Sequence, residues 1–483
     1  MEDFYRETGE EYYRNMAGLK DEMELAKIYE RYRHLFTRNT VMSLKSVAVD
    51  AKGEDDRRLR FLKAFTLSEF LQNEVKELTD KALTMESTET ITVDGEKMAF
   101  RLSAVKMSNQ ENRGKRKLIF DERNHTIGKI NGVLVERLGR LHSVSKELGY
   151  RDYEQLFSDV KEVDFRKLDG ILQGFLARTE KLYLEKMGEY FEKKIGVGLR
   201  SGEKHDLAFL FRAKEFDPYF PKEKALALLK GTLKGMGFDL SGQKNIMVDL
   251  EERPKKSPRA FMVPVKVPED IRLVVMPQGG QDDYLALFHE SGHAEHYANA
   301  DGGLEVEYKY LGDYSLTEGF AFLLEHLCFN EAWLKRNIEL RELERFLKFS
   351  FLSKLYFLRR YSAKLSYEIG LHSKGIDGAD SAYRRILERA LGLQHPEVHY
   401  LMDVDDGFYA ANYLRAWIFE AQLSRMLVER FGQEWFSKPE AGRLLSELWS
   451  TGQKFTVEEV LARLGYSGLD LRPLEEEIRS RLS

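Results

Sequence analysis

The sequence predicts a mainly α-helical protein of two lobes, with a small β-sheet beside the helix that carries its functional residues. The 483 residues include only 10 prolines, while the helix formers Leu, Glu, Lys and Arg are plentiful. Apolar residues recur at helical spacing over most of the chain, and β-type alternation is confined to short segments. The length exceeds that of one ordinary domain, so we expect two.

We predict an N-terminal helical lobe over residues 1–200 and a catalytic lobe over residues 201–483. Residues 88–102 interrupt the helical pattern with alternating apolar positions around Asp94-Gly95, a tight-turn signal, and so predict a β-hairpin. Three glycines within residues 195–202 indicate the boundary between the lobes.

Two short strands are predicted early in the second lobe, at residues 261–265 and 272–276. Pro264 lacks an N–H and therefore favours an edge position for the first strand. From Asp282, a plausible helix N-cap, nearly all of the remaining chain is predicted to be helical.

Composition excludes several classes of protein. The apolar content of 43%, the charged content of 32% and the net charge of −5 describe a globular protein with no electrostatic reason to bind nucleic acid. No stretch is long and apolar enough for a membrane span, and the acidic N-terminus does not resemble a signal peptide. The single cysteine, Cys328, lies in an apolar run and is expected to be buried and inert. We therefore expect a cytoplasmic protein without disulfides.

A helix around residue 290 holds the strongest functional signal. His289 and His293 are four residues apart, so they share one helix face and can present two nitrogens to one zinc ion. Glu290 lies beside them, where it can take a proton from metal-bound water. A chain of this composition would contain only about 0.04 such patterns by chance.

A catalytic zinc requires a third protein ligand and an open position for water. Glu318, 29 positions after His289, is the first candidate, and Glu325 is the alternative. His296 follows His293 too closely to serve. Ser315 and Glu318 also fit a capping box, in which the glutamate would merely close the first turn of a helix.

These residues resemble the zinc oligopeptidase family, which includes thimet oligopeptidase and oligoendopeptidase F, with angiotensin-converting enzyme and the thermostable carboxypeptidases as relatives. Residues 289–296 (HESGHAEH) are similar to the family's zinc helix, and Glu318 stands at the spacing of its glutamate ligand. Residues 258–261, followed by a strand-like segment, resemble the strand before that helix. Residues 409–413 (YAANY) are similar to its tyrosine-containing substrate motif. The resemblance covers about residues 258–417.

The resemblance implies a two-lobed helical zincin with its metal at the bottom of a deep central channel that admits short unfolded peptides. It also implies catalysis by metal-activated water, with Glu290 as the general base and a hydroxyl or imidazole donor that stabilises the oxyanion. The sequence departs from the family at position 416, where Ala416 replaces the expected tyrosine. Tyr409, Tyr413 and His399 are the candidates for the missing donor.

Three functions remain open at this point. The first is an endo-acting oligopeptidase, and the second is a carboxypeptidase or dipeptidyl carboxypeptidase, which needs a cationic anchor for the substrate's C-terminus. The third is a metal- or peptide-binding protein with little catalysis, and the alanine at position 416 is consistent with this function.

Overall fold

Helix dominates the computed structural model, which describes residues 1–47 and 53–483, and this agrees with the prediction from composition. The α-helices in chain order are α1 (Glu2–Met16), α2 (Leu25–Arg31), α3 (Arg38–Ser46), α4 (Glu54–Thr88), α5 (Phe100–Asn109), α6 (Arg113–Glu147), α7 (Tyr153–Lys161), α8 (Phe165–Lys194), α9 (Lys204–Arg212), α10 (Lys222–Gly235), α11 (Gln281–Ala298), α12 (Val306–Tyr310), α13 (Tyr314–Glu325), α14 (Glu331–Asn337), α15 (Leu343–Lys374), α16 (Ala379–Leu391), α17 (Tyr409–Phe431), α18 (Pro439–Trp449), α19 (Val457–Arg463) and α20 (Arg472–Leu482). The strands are β1 (Thr90–Val93), β2 (Glu96–Ala99), β3 (Ile246–Asp249), β4 (Phe261–Lys266) and β5 (Asp270–Val274).

The chain forms two compact units, each built from three segments. Unit 1 comprises Met1–Thr66, Lys214–Ser350 and Asn412–Glu477, and unit 2 comprises Leu67–Ala213, Phe351–Ala411 and Ile478–Ser483. The chain passes from unit 2 to unit 1 after Ala213, close to the glycine-rich segment 195–202. The assignment of residues 1–200 and 201–483 to two lobes stays a prediction.

Unit 2 contains the predicted hairpin. Strands β1 and β2 pair antiparallel, and Val93 faces Glu96 across the two-residue turn Asp94-Gly95. Both turn residues have positive φ, which Gly95 adopts without strain, as a type I′ turn requires. The hairpin packs through Ile91 and Val93 into a buried apolar cluster that also contains residues of α5 and α6.

Unit 1 contains a three-stranded sheet in the order β3-β5-β4. β3 runs parallel to β5 and β4 runs antiparallel to it, so β4 lies at an edge, as Pro264 predicts. Val263 and Val265 of β4 pack with Tyr13 of α1 and with Ala17, which follows that helix, in a buried cluster. Helix α11 also contacts β4 and β5, and the sheet therefore lies beside the helix predicted to bind metal.

Two further expectations concern single features of the chain. Cys328 is fully buried and forms no disulfide, as its apolar surroundings predict. Among residues 1–47 and 53–483, no helix combines the length and the apolar character that a bilayer crossing requires.

Candidate metal centre

Helix α11 presents both histidines of the predicted pair on one face. The helix begins at Gln281 after Gly280, so the prediction that Asp282 caps it is wrong. Asp283 instead accepts hydrogen bonds from the backbone N–H groups of Gln278 and Gly279, just ahead of the helix. This arrangement fixes the loop that leads from the sheet into α11.

Helix α13 carries Glu318, and a charged residue, Asp313, caps the N-terminus of this helix. Asp313 is the N-cap and accepts a hydrogen bond from Ser315 N, so the capping-box interpretation of Ser315 and Glu318 is wrong. Arg415 donates to both carboxylate oxygens of Asp313 at 2.8 Å and also pairs with Glu458. Burial alone would raise the pKa of Asp313, but Arg415 holds it below its ordinary value.

The two ligand helices approach each other through a glycine. A Cβ on Gly292 of α11 would lie 2.5 Å from Ala321 Cα and 2.6 Å from the Phe320 carbonyl oxygen of α13. On the other side of α13, a Cβ on Gly319 would meet the Phe419 ring at 2.3 Å. The backbones can therefore pack this closely only because both positions lack a side chain.

This packing brings the predicted ligands together. One ligand atom from each of His289, His293 and Glu318 can be chosen so that all three lie within 4.8 Å of one another. Glu318 Oε2 lies 3.4 Å from His289 Nε2 and 3.7 Å from His293 Nε2. A tetrahedral zinc ion with bonds of about 2.0–2.2 Å places its ligand atoms about 3.3–3.6 Å apart, and both separations match this spacing to within about 0.1 Å, so the three residues fit the ion.

The opposite nitrogen of each histidine has its own partner. His289 Nδ1 lies 2.8 Å from Glu325 Oε2, and His293 Nδ1 lies 2.8 Å from Thr317 Oγ1. Nδ1 of His289 donates to the carboxylate, which fixes the tautomer and leaves Nε2 of that ring facing Glu318. Glu325, the alternative ligand in the sequence, therefore holds the His289 ring from outside the three-residue cluster.

Sequence reasoning did not assign these two partners, although a signal exists for each. Thr317 directly precedes Glu318, and Glu325 follows it by seven residues, about two helical turns, so Glu318 and Glu325 share a helix face. Metal-binding histidines usually have such partners at their second nitrogen. A search for polar residues on the same face of α13 would have indicated Glu325.

The charges of the site favour a cation. Burial lowers the pKa of His293 to about 3, so its imidazole is neutral, which is the form that binds metal. Burial would lower the pKa of His289 too, but the hydrogen bonds to Glu318 and Glu325 hold it well above its ordinary value. The proton on His289 thus balances two carboxylates, and a divalent cation can take over that role.

Glu290 lies next to the triad on α11 and is itself no member of it. Burial raises the pKa of Glu290 to about 7, and a hydrogen bond from the backbone N–H of Met262 on the edge strand β4 acts in the opposite direction. The side chains of His289 and His293 stay 17% and 12% exposed, so solvent reaches the open side of the cluster. Glu290 lies close enough to His289 and Glu318 for their charges to act on its pKa, and its role as general base stays a prediction.

The third histidine of α11 has a structural role. His296 is fully buried, and its Nε2 lies 3.1 Å from the carbonyl oxygen of Gly452. Its ring packs edge-to-face on Phe320. That His296 is no ligand stays a prediction.

The structure relates one of the three candidate oxyanion donors to the triad. The Tyr413 ring lies 6.0 Å from Phe322, whose ring lies 4.9 Å from that of His289. Tyr409 and His399 belong to unit 2, and their role stays a prediction. Ala416, where the family has its tyrosine, is fully buried on α17.

No protein-family profile and no curated protein matches this sequence.

Proposed function

We propose that the protein is a zinc metallopeptidase that hydrolyses peptide bonds in short unfolded peptides. The observation that carries this proposal is the convergence of two imidazole nitrogens and one carboxylate at zinc-ligand spacing, with Glu290 beside them. Two histidines and one glutamate are a typical ligand set of catalytic zinc, and they leave a fourth position for water or substrate. The resemblance to zinc oligopeptidases supports the peptide substrate, the two-lobed zincin fold and the deep channel.

Each residue of the site has a definable task in this reaction. When bound, zinc supplies Lewis acidity, which makes a water molecule more acidic and polarises the peptide carbonyl. The Glu290 carboxylate accepts the proton of the attacking water and delivers it to the nitrogen of the leaving amine. Glu325 and Thr317 keep the two imidazoles in the orientation that binds metal.

The decisive experiment compares two isosteric substitutions on α11. Glu290→Gln removes the proton acceptor and keeps the shape of the side chain, so we expect full zinc content and a loss of turnover of at least about 100-fold. Glu295→Gln is the matched control, because Glu295 is buried one turn away against Gln243 and Asn299 and takes no part in the site. Zinc is measured by mass spectrometry of the metal, and turnover with a quenched fluorescent peptide library.

The results separate the candidate functions. Retained turnover in zinc-replete Glu290→Gln would remove Glu290 from the mechanism. Stoichiometric zinc without any cleavage by the wild type would favour a metal-binding protein instead. Product masses from free and amidated peptides distinguish internal cleavage from carboxypeptidase action, because only the latter requires a free C-terminal carboxylate.

A further inference from the structure

Unit 2 contains a second group of charged side chains, centred on Lys204. Lys204 is the first residue of α9, and its Nζ lies 2.8 Å from His399 Nδ1. The other nitrogen of that ring, Nε2, lies 2.8 Å from Asn124 Oδ1. Because Nδ1 accepts from the ammonium group, Nε2 carries the ring's proton and donates to the amide oxygen, and the imidazole is neutral. Lys204 is thus held by a neutral partner.

The positive charge of Lys204 is not balanced locally. Among residues 1–47 and 53–483, no carboxylate forms an ion pair with Lys204. The nearby Asp403 is already bound by Arg360 and by the Tyr383 hydroxyl at 2.9 Å. Lys364 is close as well, but as a second cation it cannot balance Lys204, and its own charge is paired with Asp405 at 2.7 Å.

The protonation states keep this imbalance at neutral pH. Burial and the positive charges of Arg360 and Lys364 lower the pKa of Lys204 to about 8, so most of it is still protonated at pH 7. Burial raises the pKa of Glu368, the remaining acid of the group, to about 8, so this side chain is mostly neutral. The group therefore holds more positive than negative charge in a poorly hydrated place, where an unpaired charge is costly.

Hydrogen-bond donors in the same group remain available. Arg360 Nη2 donates to Asp403, and in the described part of the chain its other guanidinium nitrogens donate to no protein acceptor. The Tyr356 hydroxyl likewise makes no hydrogen bond to any described residue, while its ring packs 4.6 Å from that of Phe211. The charge of Asp403 acts on the pKa values of both Lys204 and Tyr356, which places the two residues near one carboxylate.

Solvent reaches this group although its members are deeply placed. Lys204 and His399 are half-buried, and the Arg360 and Asp403 side chains are 15% and 13% exposed. Arg360 and Tyr356 are one turn apart on α15, and Lys204, Arg360 and Tyr356 all lie near the Asp403 carboxylate. Lys204 and Arg360 keep partial contact with solvent, whereas Tyr356 is buried. This combination of an ammonium, guanidinium N–H groups and a phenolic O–H, all of them donors, matches the acceptor oxygens of a carboxylate or phosphate.

We propose that Lys204, Arg360 and Tyr356 form a binding site for a small oxyanion, either a carboxylate or a phosphate group. The anion supplies the negative charge that Lys204 lacks and accepts from all three side chains. The site lies within unit 2 and does not depend on the proposed peptidase activity.

Calorimetric titration at pH 7 tests this site with two probes, inorganic phosphate and N-acetylglycine, each added to the full-length protein. Lys204→Gln removes the charge, and Tyr356→Phe removes only one hydroxyl while it keeps the ring packed on Phe211. We expect the wild type to bind at least one probe, and each substitution to weaken binding by about tenfold or more, because hydrogen bonds to a charged group are strong. Lys193→Gln, at an exposed lysine of α8 in the same unit, should bind like the wild type.

The outcomes decide both the existence and the source of the ligand. Absence of binding to the wild type, or equal binding by wild type and both variants, would overturn the proposal. If Lys204→Gln does not fold, Tyr356→Phe decides alone. A preference for N-acetylglycine over phosphate, lost with N-acetylglycinamide, would assign the site to carboxylates, and the reverse preference would assign it to phosphate.

Discussion

Substitution of Gly292 by alanine tests whether the close approach of α11 and α13 creates the metal centre. The added Cβ would lie 2.5 Å from Ala321 Cα, and ordinary contact begins at 3.4 Å, so the two backbones must separate by about 0.9 Å. Both atoms that Cβ meets most closely belong to backbone, which cannot rotate away. Overpacking of this kind costs about 1–3 kcal/mol in the free energy of unfolding.

The same shift acts directly on the ligands. His289 and His293 move with α11, whereas Glu318 moves with α13. Separations of 3.4 and 3.7 Å between Glu318 Oε2 and the two imidazole nitrogens would then exceed about 4 Å, beyond what bonds of about 2.0–2.2 Å to a single ion span. We expect zinc affinity to fall by at least about tenfold, in addition to the loss of stability.

The assay uses the metal-free protein for stability and a competing chromophoric chelator for zinc affinity. Gly231→Ala is the matched control, because Gly231 lies in helix α10 of the same unit and a Cβ there would meet nothing within 4 Å. Urea unfolding of Gly231→Ala should show a gain of up to about 1 kcal/mol from helix propensity, with unchanged zinc affinity. Wild-type stability and wild-type zinc affinity in Gly292→Ala would refute the reasoning.

Two further predictions concern charges. Glu325→Gln should still bind one zinc ion but with about 10- to 100-fold lower affinity, because the amide orients His289 without the charge of the carboxylate. Glu318→Ala should lose the metal. The chelator competition measures both variants, and equal zinc affinity of Glu325→Gln and wild type would exclude the orienting role. In unit 2, burial would raise the pKa of Asp206, but Arg113 and Arg116 hold this pKa below its ordinary value. The ion pairs of Asp206 therefore stabilise the fold above about pH 4, the pKa of the unfolded state, and this stabilisation is lost as the pH falls below that value. Asp206→Asn should therefore lower the free energy of unfolding by about 3–5 kcal/mol at pH 7 and by less at pH 3. Urea unfolding measures this, and equal stability of wild type and variant at pH 7 would contradict the prediction.

The elements that sequence predicts well are those specified by local chemistry. The hairpin follows from Asp94-Gly95, since two adjacent residues that tolerate positive φ nearly determine a two-residue turn. The edge position of β4 follows from the missing N–H of Pro264. The pairing of His289 with His293 follows from helical periodicity alone. In each case the deciding residues are neighbours in sequence.

The features that sequence does not predict depend on residues far apart in the chain. Asp313 and not Ser315 begins the ligand helix because Arg415, about a hundred residues later, balances its charge. Glu325 contacts His289 and stands outside the His289–His293–Glu318 cluster, and this arrangement depends on how closely α11 and α13 pack at Gly292. The charge imbalance around Lys204 becomes visible only when α9 is seen beside the segment that carries His399.

Position 416, where the sequence has alanine in place of the tyrosine that the resemblance to zinc oligopeptidases leads us to expect, is packed close to α13. Ala416 is fully buried, and its carbonyl oxygen lies 3.5 Å from the place where a Cβ on Gly319 would stand. The close approach of α17 at this place is that of the Phe419 ring, 2.3 Å from the same Cβ, and Gly319 adjoins Glu318. A tyrosine at 416 needs space that the buried alanine does not have. For the proposed peptidase we expect the oxyanion donor to be Tyr413, which is half-buried on α17 and one ring away from His289.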